Sequence, residues 1–196
     1  MKQDIILAGV GGQGILSIAT VIGWASLDQN LHLKQAEVHG MSQRGGDVQS
    51  NLRLSDSKIW SDLIPKGECD LILSLEPMEA LRYLPYLSPK GWIVTNTTPF
   101  RNIPNYPEMS DIQKELDTVG HVITLDCDSI AREIGSPKSA NMVLLGASAS
   151  VLKIIEPDKL REGIAEVFGR KGEKIVEMNI AAFNAGLEAS GQIQTV

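Results

Sequence analysis

A histidine, a hydroxyl, an amide and a guanidinium stand together in one short glycine-flanked stretch, EVHGMSQRGG at residues 37–46. Arg44 can donate two parallel hydrogen bonds to a phosphate or a carboxylate, because its guanidinium is planar and always charged. The neighbouring hydroxyl and amide can add directional hydrogen bonds, and the two following glycines let the backbone approach a ligand closely. The stretch therefore predicts a site for an anionic group, to which we assign Ser42, Gln43, Arg44, Gly45 and Gly46.

The same stretch holds the candidate catalytic residues, His39 and Arg44, although no partner group in the sequence fixes a catalytic role for either. A histidine changes its charge near neutral pH, which makes it a common general base. A structural interpretation stays open for both residues. Arg44 would then form an ion pair with an acid such as Asp47, and His39 would be an ordinary loop residue.

A second motif, GVGGQG at residues 9–14, follows an apolar run and precedes a helical pattern. The helix that follows such a turn offers unpaired N–H groups and a positive dipole end to an anion. We predict the binding residues Gly11, Gly12, Gln13 and Gly14. A dinucleotide would also need an acid about 20 residues further on, at a strand end. Glu37 is the nearest candidate, but its segment, Leu31–Val38, is too polar for a central strand. Another phosphate, a partner contact and a purely structural turn remain alternatives.

The elements that must position these motifs alternate between strand and helix patterns. Short apolar runs predict strands, whereas apolar residues at helical spacing, such as Ile15, Ile18 and Ile22, predict helices. The chain is therefore predicted to be an α/β domain with a Rossmann-like, largely parallel sheet and helices on both faces. The predicted strands are Ile5–Val10, Val48–Leu54, Asp70–Leu75, Gly91–Asn96 and His121–Asp126, and further helical stretches are Pro77–Leu84 and Ser110–Thr118.

From about residue 139 the sequence becomes predominantly helical. Ser139–Ile155 is predicted to be a buried helix, Pro157 opens another because proline is tolerated in a first turn, and the last follows Gly172. Pro99–Pro107 is predicted to be an exposed loop. We expect residues 1–196 to form a single domain whose C-terminal part is helical, packed on the sheet or against a partner.

Composition narrows the function classes. The net charge is -6, which argues against sequence-independent nucleic-acid binding and against binding to an anionic membrane surface. Two cysteines without a CxxC pair, Cys69 and Cys127, predict buried thiols rather than an iron–sulfur site. Glycines interrupt the short apolar run near the N-terminus, so we expect neither a signal peptide nor a membrane span, and a cytoplasmic protein.

The two glycine motifs occur together with further matching segments. Val48–Arg53, with Ser50 and Arg53 after the second glycine pair, and NMVLLG at residues 141–146 complete the pattern. Jointly these motifs resemble the gamma-type domain of 2-oxoacid:ferredoxin oxidoreductases, from Ile5 to about Leu152. The resemblance is to the indolepyruvate type above all, in which this domain forms the smaller, beta subunit.

The resemblance implies a role within a larger enzyme. Members of the family oxidatively decarboxylate a 2-oxoacid to an acyl-CoA and CO2 and pass electrons to ferredoxin, as in amino-acid catabolism. Thiamine diphosphate, Mg²⁺ and iron–sulfur clusters are then expected on a large partner subunit, with none held by this chain alone and coenzyme A as co-substrate. The chain would be inactive alone, although it could form a homodimer. The alternatives are an autonomous NAD(P)-binding oxidoreductase domain and a non-catalytic scaffold domain.

Overall fold

The computed structural model describes residues 1–39, 45–101 and 103–193, in which strands and helices alternate. The strands are β1 (Lys2–Val10), β2 (His32–His39), β3 (Asp47–Ser55), β4 (Cys69–Ser74), β5 (Leu87–Asn96) and β6 (Val122–Leu125). The α-helices are α1 (Ile15–Asp28), α2 (Pro77–Arg82), α3 (Met109–Leu116), α4 (Cys127–Glu133), α5 (Ala140–Ser148), α6 (Pro157–Gly169) and α7 (Glu173–Ile193). A short 3₁₀ helix, Leu84–Tyr86, precedes β5.

The strands form one sheet in the order β2-β3-β1-β4-β5-β6. Strands β1, β4, β5 and β6 are parallel, whereas β3 runs antiparallel to both of its neighbours, β1 and β2. The predicted α/β class is confirmed, with one reversed strand in the largely parallel sheet. The polar segment Leu31–Val38 forms most of β2, an edge strand, which explains why it lacks the apolar character of a central strand.

Both faces of the sheet are covered by helices, as predicted. Ile5 and Leu7 of β1 pack into a large apolar core with α1, α5 and α6. Ile6 and Ala8 point to the opposite face, where a smaller core includes residues of α2 and α3. All four side chains are fully buried, which accounts for the continuous apolar run in this central strand.

The helical second half differs from the prediction in two places. The helix predicted over Ser139–Ile155 ends at Ser148, and turns follow it. Gln3 of β1 binds these turns, since its Nε2 donates to the carbonyl oxygen of Val151 at 2.8 Å and its Oε1 accepts from the N–H of Ile154 at 3.4 Å. Helix α4 was not predicted; the Asp126 carboxylate caps it by accepting from the backbone N–H of Ser129 at 2.9 Å.

Helices α5 and α7 cross with their backbones in contact. A Cβ atom built on Gly146 would lie 1.9 Å from the carbonyl oxygen of Phe183, and one built on Gly186 would lie 1.9 Å from that of Val143. Neither distance leaves room for a methyl group. The crossing therefore depends on a glycine in each helix, and it anchors the C-terminal helix to the domain.

The amino-terminal edge of the sheet is stabilised by a buried ion pair. The Arg53 guanidinium binds the Asp4 carboxylate through two hydrogen bonds, of 2.8 and 3.0 Å. Its remaining nitrogen donates to the carbonyl oxygens of Ser61 and Leu63, at 3.2 and 3.0 Å. Arg53, one of the residues that matched the family pattern, therefore fixes the loop before β4 at the edge opposite the glycine turn.

Candidate functional site

The glycine turn between β1 and α1 is shaped by two left-handed residues. Gly14 caps α1 with φ 85°, and a Cβ on it would lie 2.6 Å from Nδ2 of Asn141. Gly12 has φ 103°, and a Cβ built there would have no neighbour within 4 Å. Gly14 is thus required by its backbone conformation and by the helix beside it, whereas Gly12 faces open space.

Gln13, predicted as a binding residue, braces the turn from within. Its Oε1 accepts from the N–H of Val10 at 2.7 Å, and its Nε2 donates to the carbonyl oxygen of Leu75 at 3.2 Å. These bonds tie the turn to the ends of β1 and β4. Gln13 also lines the adjacent cleft, so its hydrogen bonds within the turn do not exclude it from the candidate site.

The two glycine motifs lie side by side. The N–H of Gly11 donates to the carbonyl oxygen of Gly46 at 2.8 Å, and the N–H of Gly45 donates to that of Gly11 at 3.3 Å. The pairing of β1 with β3, which ends at Val10 opposite Asp47, brings the motifs together. The sequence predicted both motifs as binding elements, but their contact follows only from the strand order.

The predicted residues Ser42, Gln43 and Arg44 lie outside the described residues. His39 is the last residue of β2, where its backbone pairs with Val48, so it stands at the same edge of the sheet as the glycine turn. The assignment of His39 and Arg44 as catalytic candidates therefore stays a prediction.

A cleft of about 540 Å³ opens in front of the turn. It lies between the turn, the segment before α5, and helices α6 and α7, and a second hollow of about 320 Å³ continues it toward the ends of β4 and β5. This is the carboxyl-terminal edge of the parallel strands, where ligands bind in open α/β sheets. The residues that line the cleft include Gly12, Gly14, Lys138, Asn141, Lys171 and Asn179.

Positive charge is concentrated in the cleft although the protein is acidic overall. The exposed side chains of Lys138 and Lys171 both line it, and the N-termini of α1 and α5 border it with Gly14 and Asn141. In the smaller hollow Asp128 adds one carboxylate, which accepts a hydrogen bond of 2.7 Å from Nδ2 of Asn96. Ammonium groups and helix N-termini together favour a negatively charged ligand.

Hydrogen bonds fix the start of α5 against the glycine turn. Nδ2 of Asn141 donates to the carbonyl oxygen of Gly14 at 3.2 Å, and the buried hydroxyls of Ser136 and Ser139 are 2.7 Å apart. Asn141 was noted in the sequence only as part of a matching pattern. Lys138 and Lys171 were missed because their nearness to the glycine turn arises from packing; the only local signal was the position of Lys138 just before a helix.

The geometry does not favour a dinucleotide in the arrangement that Glu37 would require. Glu37 lies on the edge strand β2, and the antiparallel strand β3 separates it from β1. Neighbouring strands are about 4.8 Å apart, so Glu37 is about 10 Å from the strand that leads into the glycine turn. In a dinucleotide-binding domain the acidic residue follows the strand directly beside the first one.

The chain's own donor set does not fit an iron–sulfur cluster. Cys69 begins β4 and Cys127 begins α4, so the two cysteines stand at opposite edges of the sheet, each buried and free. Burial raises the pKa of the Cys69 thiol to about 12 and also raises that of Cys127. A cluster needs about four thiolate ligands close together, which two separated thiols cannot supply.

Among the described residues, no group of His, Cys, Asp and Glu side chains is arranged to hold a metal ion, and no helix is long and apolar enough to span a membrane.

Comparison with known proteins shows matches along nearly the whole chain. Residues 4–189 match the family model described as pyruvate ferredoxin/flavodoxin oxidoreductase. Indolepyruvate oxidoreductase subunit IorB of Thermococcus kodakarensis is 34% identical, with 98% of each chain covered. The subunit of the same name from Methanothermobacter thermautotrophicus is also 34% identical, over 98% of this chain and 100% of the relative.

Solved structures share the fold. The 2-oxoglutarate:ferredoxin oxidoreductase from Magnetococcus marinus, with 2-oxoglutarate, coenzyme A and succinyl-CoA bound, superposes with a TM-score of 0.76 at 23% identity. It covers 97% of this chain and 31% of that longer chain. The pyruvate oxidoreductase subunit PORC of Thermotoga maritima superposes with a TM-score of 0.71 at 19% identity, covering 95% of this chain and 96% of that subunit.

Proposed function

This chain belongs to the pyruvate ferredoxin/flavodoxin oxidoreductase family, and from that premise we propose that it is the smaller subunit of a cytoplasmic indolepyruvate ferredoxin oxidoreductase. The assembled enzyme would oxidatively decarboxylate an aryl-substituted 2-oxoacid to the acyl-CoA and CO2, with ferredoxin as electron acceptor. The subtype is supported by the full-length similarity to relatives that are named indolepyruvate oxidoreductase subunits.

One observation supports a binding role for this subunit in the assembled enzyme. The hydrogen bonds of Gly11 with Gly45 and Gly46 join both glycine motifs at one edge, beside a cleft lined by Lys138 and Lys171. We propose that this edge faces the large subunit and binds the phosphate-bearing part of coenzyme A. Gly12 leaves room for a phosphate, the N-termini of α1 and α5 offer partial positive charge, and the two lysines neutralise the ligand.

We propose that the groups required for the oxidation itself are held by the large subunit. Thiamine diphosphate with Mg²⁺ would activate the 2-oxoacid on the large subunit, and iron–sulfur clusters there would carry the electrons. The residues of this chain would bind and orient coenzyme A and exclude water from the shared site. Ser42, Gln43 and Arg44 would complete this binding surface, because they connect β2 to the glycines that contact the turn.

Anaerobic co-expression with the large subunit of an indolepyruvate ferredoxin oxidoreductase tests the proposal. The expected result is a stable hetero-oligomer that reduces a low-potential dye with indolepyruvate and coenzyme A. The isolated chain should be colourless and inactive, because the proposal assigns the clusters and thiamine diphosphate to the large subunit. Robust turnover by the isolated chain, or failure of the two subunits to co-purify, would contradict the proposal.

Thermal stabilisation of the isolated chain by added ligands distinguishes the proposed function from that of an autonomous NAD(P)-binding domain. A ligand that binds only the folded state at a hundred times its Kd adds about 2.7 kcal/mol of stability. Strong stabilisation by NAD(P), with none by coenzyme A, would favour the autonomous oxidoreductase. A scaffold domain would assemble with its partner, but variants of the glycine cleft would leave the KM for coenzyme A unchanged.

A further inference from the structure

A second cavity, of about 390 Å³, lies at the edge of the sheet opposite the glycine turn. It is formed where β1, β4 and the first half of β5 meet the turns that follow α5. Its volume is in the range of ordinary small-molecule sites. The residues that line the cavity include Gln3, Asp70, Lys90, Trp92, Lys153 and Ile154.

The cavity has an excess of available positive charge. Lys2 also lines it, but its ammonium is held by the buried Asp4 carboxylate at 2.9 Å. The exposed ammonium groups of Lys90 and Lys153, by contrast, have no carboxylate partner in the part of the chain that the structure describes. Two cations that form no ion pair with the described residues therefore border one small cavity on an acidic protein.

One carboxylate limits how much negative charge the cavity can accept. Oδ2 of Asp70 accepts a hydrogen bond of 2.8 Å from the backbone N–H of Asp4. Burial also raises the pKa of Asp70, because removal of water disfavours the charged carboxylate. A ligand with several negative charges would be repelled by the Asp70 carboxylate, whereas a single negative charge can be bound by the two lysines.

The remaining wall is apolar and includes a flat aromatic surface. The Trp92 indole is half-buried and stacks on the His121 ring, with centroids 4.8 Å apart and planes inclined by 22°. His121 covers one face and leaves the rest of the indole available to line the cavity. Gln3 cannot readily serve a ligand because both ends of its amide bind the backbone of Val151 and Ile154.

We propose that this cavity binds a small organic monoanion with a flat apolar body, such as an aromatic carboxylate. The carboxylate lies between Lys90 and Lys153, and the ring packs against Trp92 and Ile154. The site is separate from the glycine cleft, because its strands contribute their opposite ends. It would therefore exist whether or not the chain is an oxidoreductase subunit.

Isothermal titration of the purified full-length chain with indole-3-acetate and benzoate tests the site. Both ligands should bind saturably with one site per chain. Indole-3-acetamide lacks the charge and acetate lacks the ring, so each should bind at least about ten-fold more weakly than indole-3-acetate. Inorganic phosphate should not compete, because it offers no flat surface and carries additional charge.

Variants locate the binding. Lys90→Ala and Lys153→Ala should each weaken indole-3-acetate binding about five- to ten-fold, and the double variant by roughly thirty-fold or more. The matched control Lys34→Ala, which removes an exposed lysine from β2, should leave the Kd unchanged. Lys171→Ala should also leave it unchanged, because that lysine lines the other cleft.

Three results would overturn the proposal. The first is no saturable binding of either aromatic carboxylate, and the second is phosphate or acetate binding as tight as that of indole-3-acetate. The third is a Kd that depends on Lys171 but not on Lys90 and Lys153, which would place the ligand in the glycine cleft. Loss of the proposed oxidoreductase activity would have no bearing on these measurements.

Discussion

The glycine turn and the α5–α7 crossing use the same residue type for opposite purposes. In the turn, Gly12 has a left-handed backbone and faces open space, so that a methyl group would meet no neighbour within 4 Å. In the crossing, Gly146 and Gly186 lie against the backbone of the opposite helix, and a methyl group would overlap it. Glycine in the first region leaves open space in front of the turn. In the second region, the absence of a side chain lets two helix backbones touch.

The two regions also differ in how they are held. Backbone hydrogen bonds and the amide of Gln13 hold the turn, while much of its surface stays open to the cleft. The crossing is held by close packing, and Phe183 beside it is fully buried. A substitution in the turn should therefore change binding more than folding, and one in the crossing should change folding first.

The largest expected effect is that of Gly146→Ala. The new methyl group would collide with the carbonyl carbon and oxygen of Phe183, which belong to the α7 backbone and cannot move aside alone. Because overpacking against a backbone forces a whole helix to shift, we expect a loss of about 3 kcal/mol or more in the free energy of unfolding. Chemical denaturation of the purified chain measures it.

Gly191→Ala is the matched control for that loss. Gly191 lies in α7, the partner helix of this crossing, but a Cβ there would have no neighbour within 4 Å. Alanine is favoured over glycine inside a helix by about 1 kcal/mol, so this variant should be as stable as the parent or more stable. Equal destabilisation by both variants would show that the crossing is not the cause.

The next effect concerns Arg44, which lies in the sequence between β2 and β3. We expect its guanidinium to bind an anionic group, either a phosphate of coenzyme A or the substrate carboxylate. A charge-assisted hydrogen bond contributes about 1.5–3 kcal/mol, so Arg44→Ala should lower kcat/KM of the assembled enzyme by roughly one to two powers of ten. The melting temperature of the isolated chain should stay nearly unchanged.

Arg44→Lys should restore only part of that activity, because an ammonium cannot reproduce two parallel hydrogen bonds. The structural interpretation, in which Arg44 pairs with Asp47, makes the reverse prediction. Arg44→Ala would then lower the stability of the isolated chain and leave the kinetics of the assembled enzyme intact. Measuring both quantities on the same variant separates the two.

Gly12→Ala should destabilise the chain less than Gly146→Ala does. Because there is open space around Gly12, an added methyl group would not clash. The free energy of unfolding should fall only by the cost of holding a non-glycine residue in a left-handed conformation, about 1–2 kcal/mol. Its methyl group would, however, project into the cleft, so the KM for coenzyme A should rise in the assembled enzyme. Gly67→Ala is the matched control, with φ 77° and no neighbour within 4 Å. A similar loss of stability with an unchanged KM is expected for it, and an unchanged KM in both variants would contradict the proposed site.

The sequence predicts local features better than contacts between distant segments. The fully buried run in β1 and the proline that opens α6 were recognised because each carries its signal within a few residues. The stop of α5 at Ser148 was not predicted, since the partner of the following turns is Gln3, far away in sequence. The same holds for Gly146, whose requirement for glycine arises from a helix some forty residues later.

The candidate site shows the same division. The glycine motifs were identified from their composition and spacing, and their pairing through Gly11 and Gly46 followed once β3 was seen to lie beside β1. Lys138 and Lys171 line the cleft because of how α5 and α7 pack beside the glycine turn, and the only local signal in the sequence is the position of Lys138 just before a helix.

The pairing of His39 with Val48 has an entropic consequence. It closes the connection between β2 and β3 into a hairpin of eight intervening residues, 40–47, whose ends the folded sheet already holds together. Closing a chain segment of this length costs about 2 kcal/mol of conformational entropy, by the logarithmic dependence on loop length. That cost is met when the protein folds rather than when a ligand arrives. On the proposed function, a ligand of the glycine cleft would not bear this closure cost, and lengthening the connection with inserted glycines should weaken binding gradually rather than abolish it.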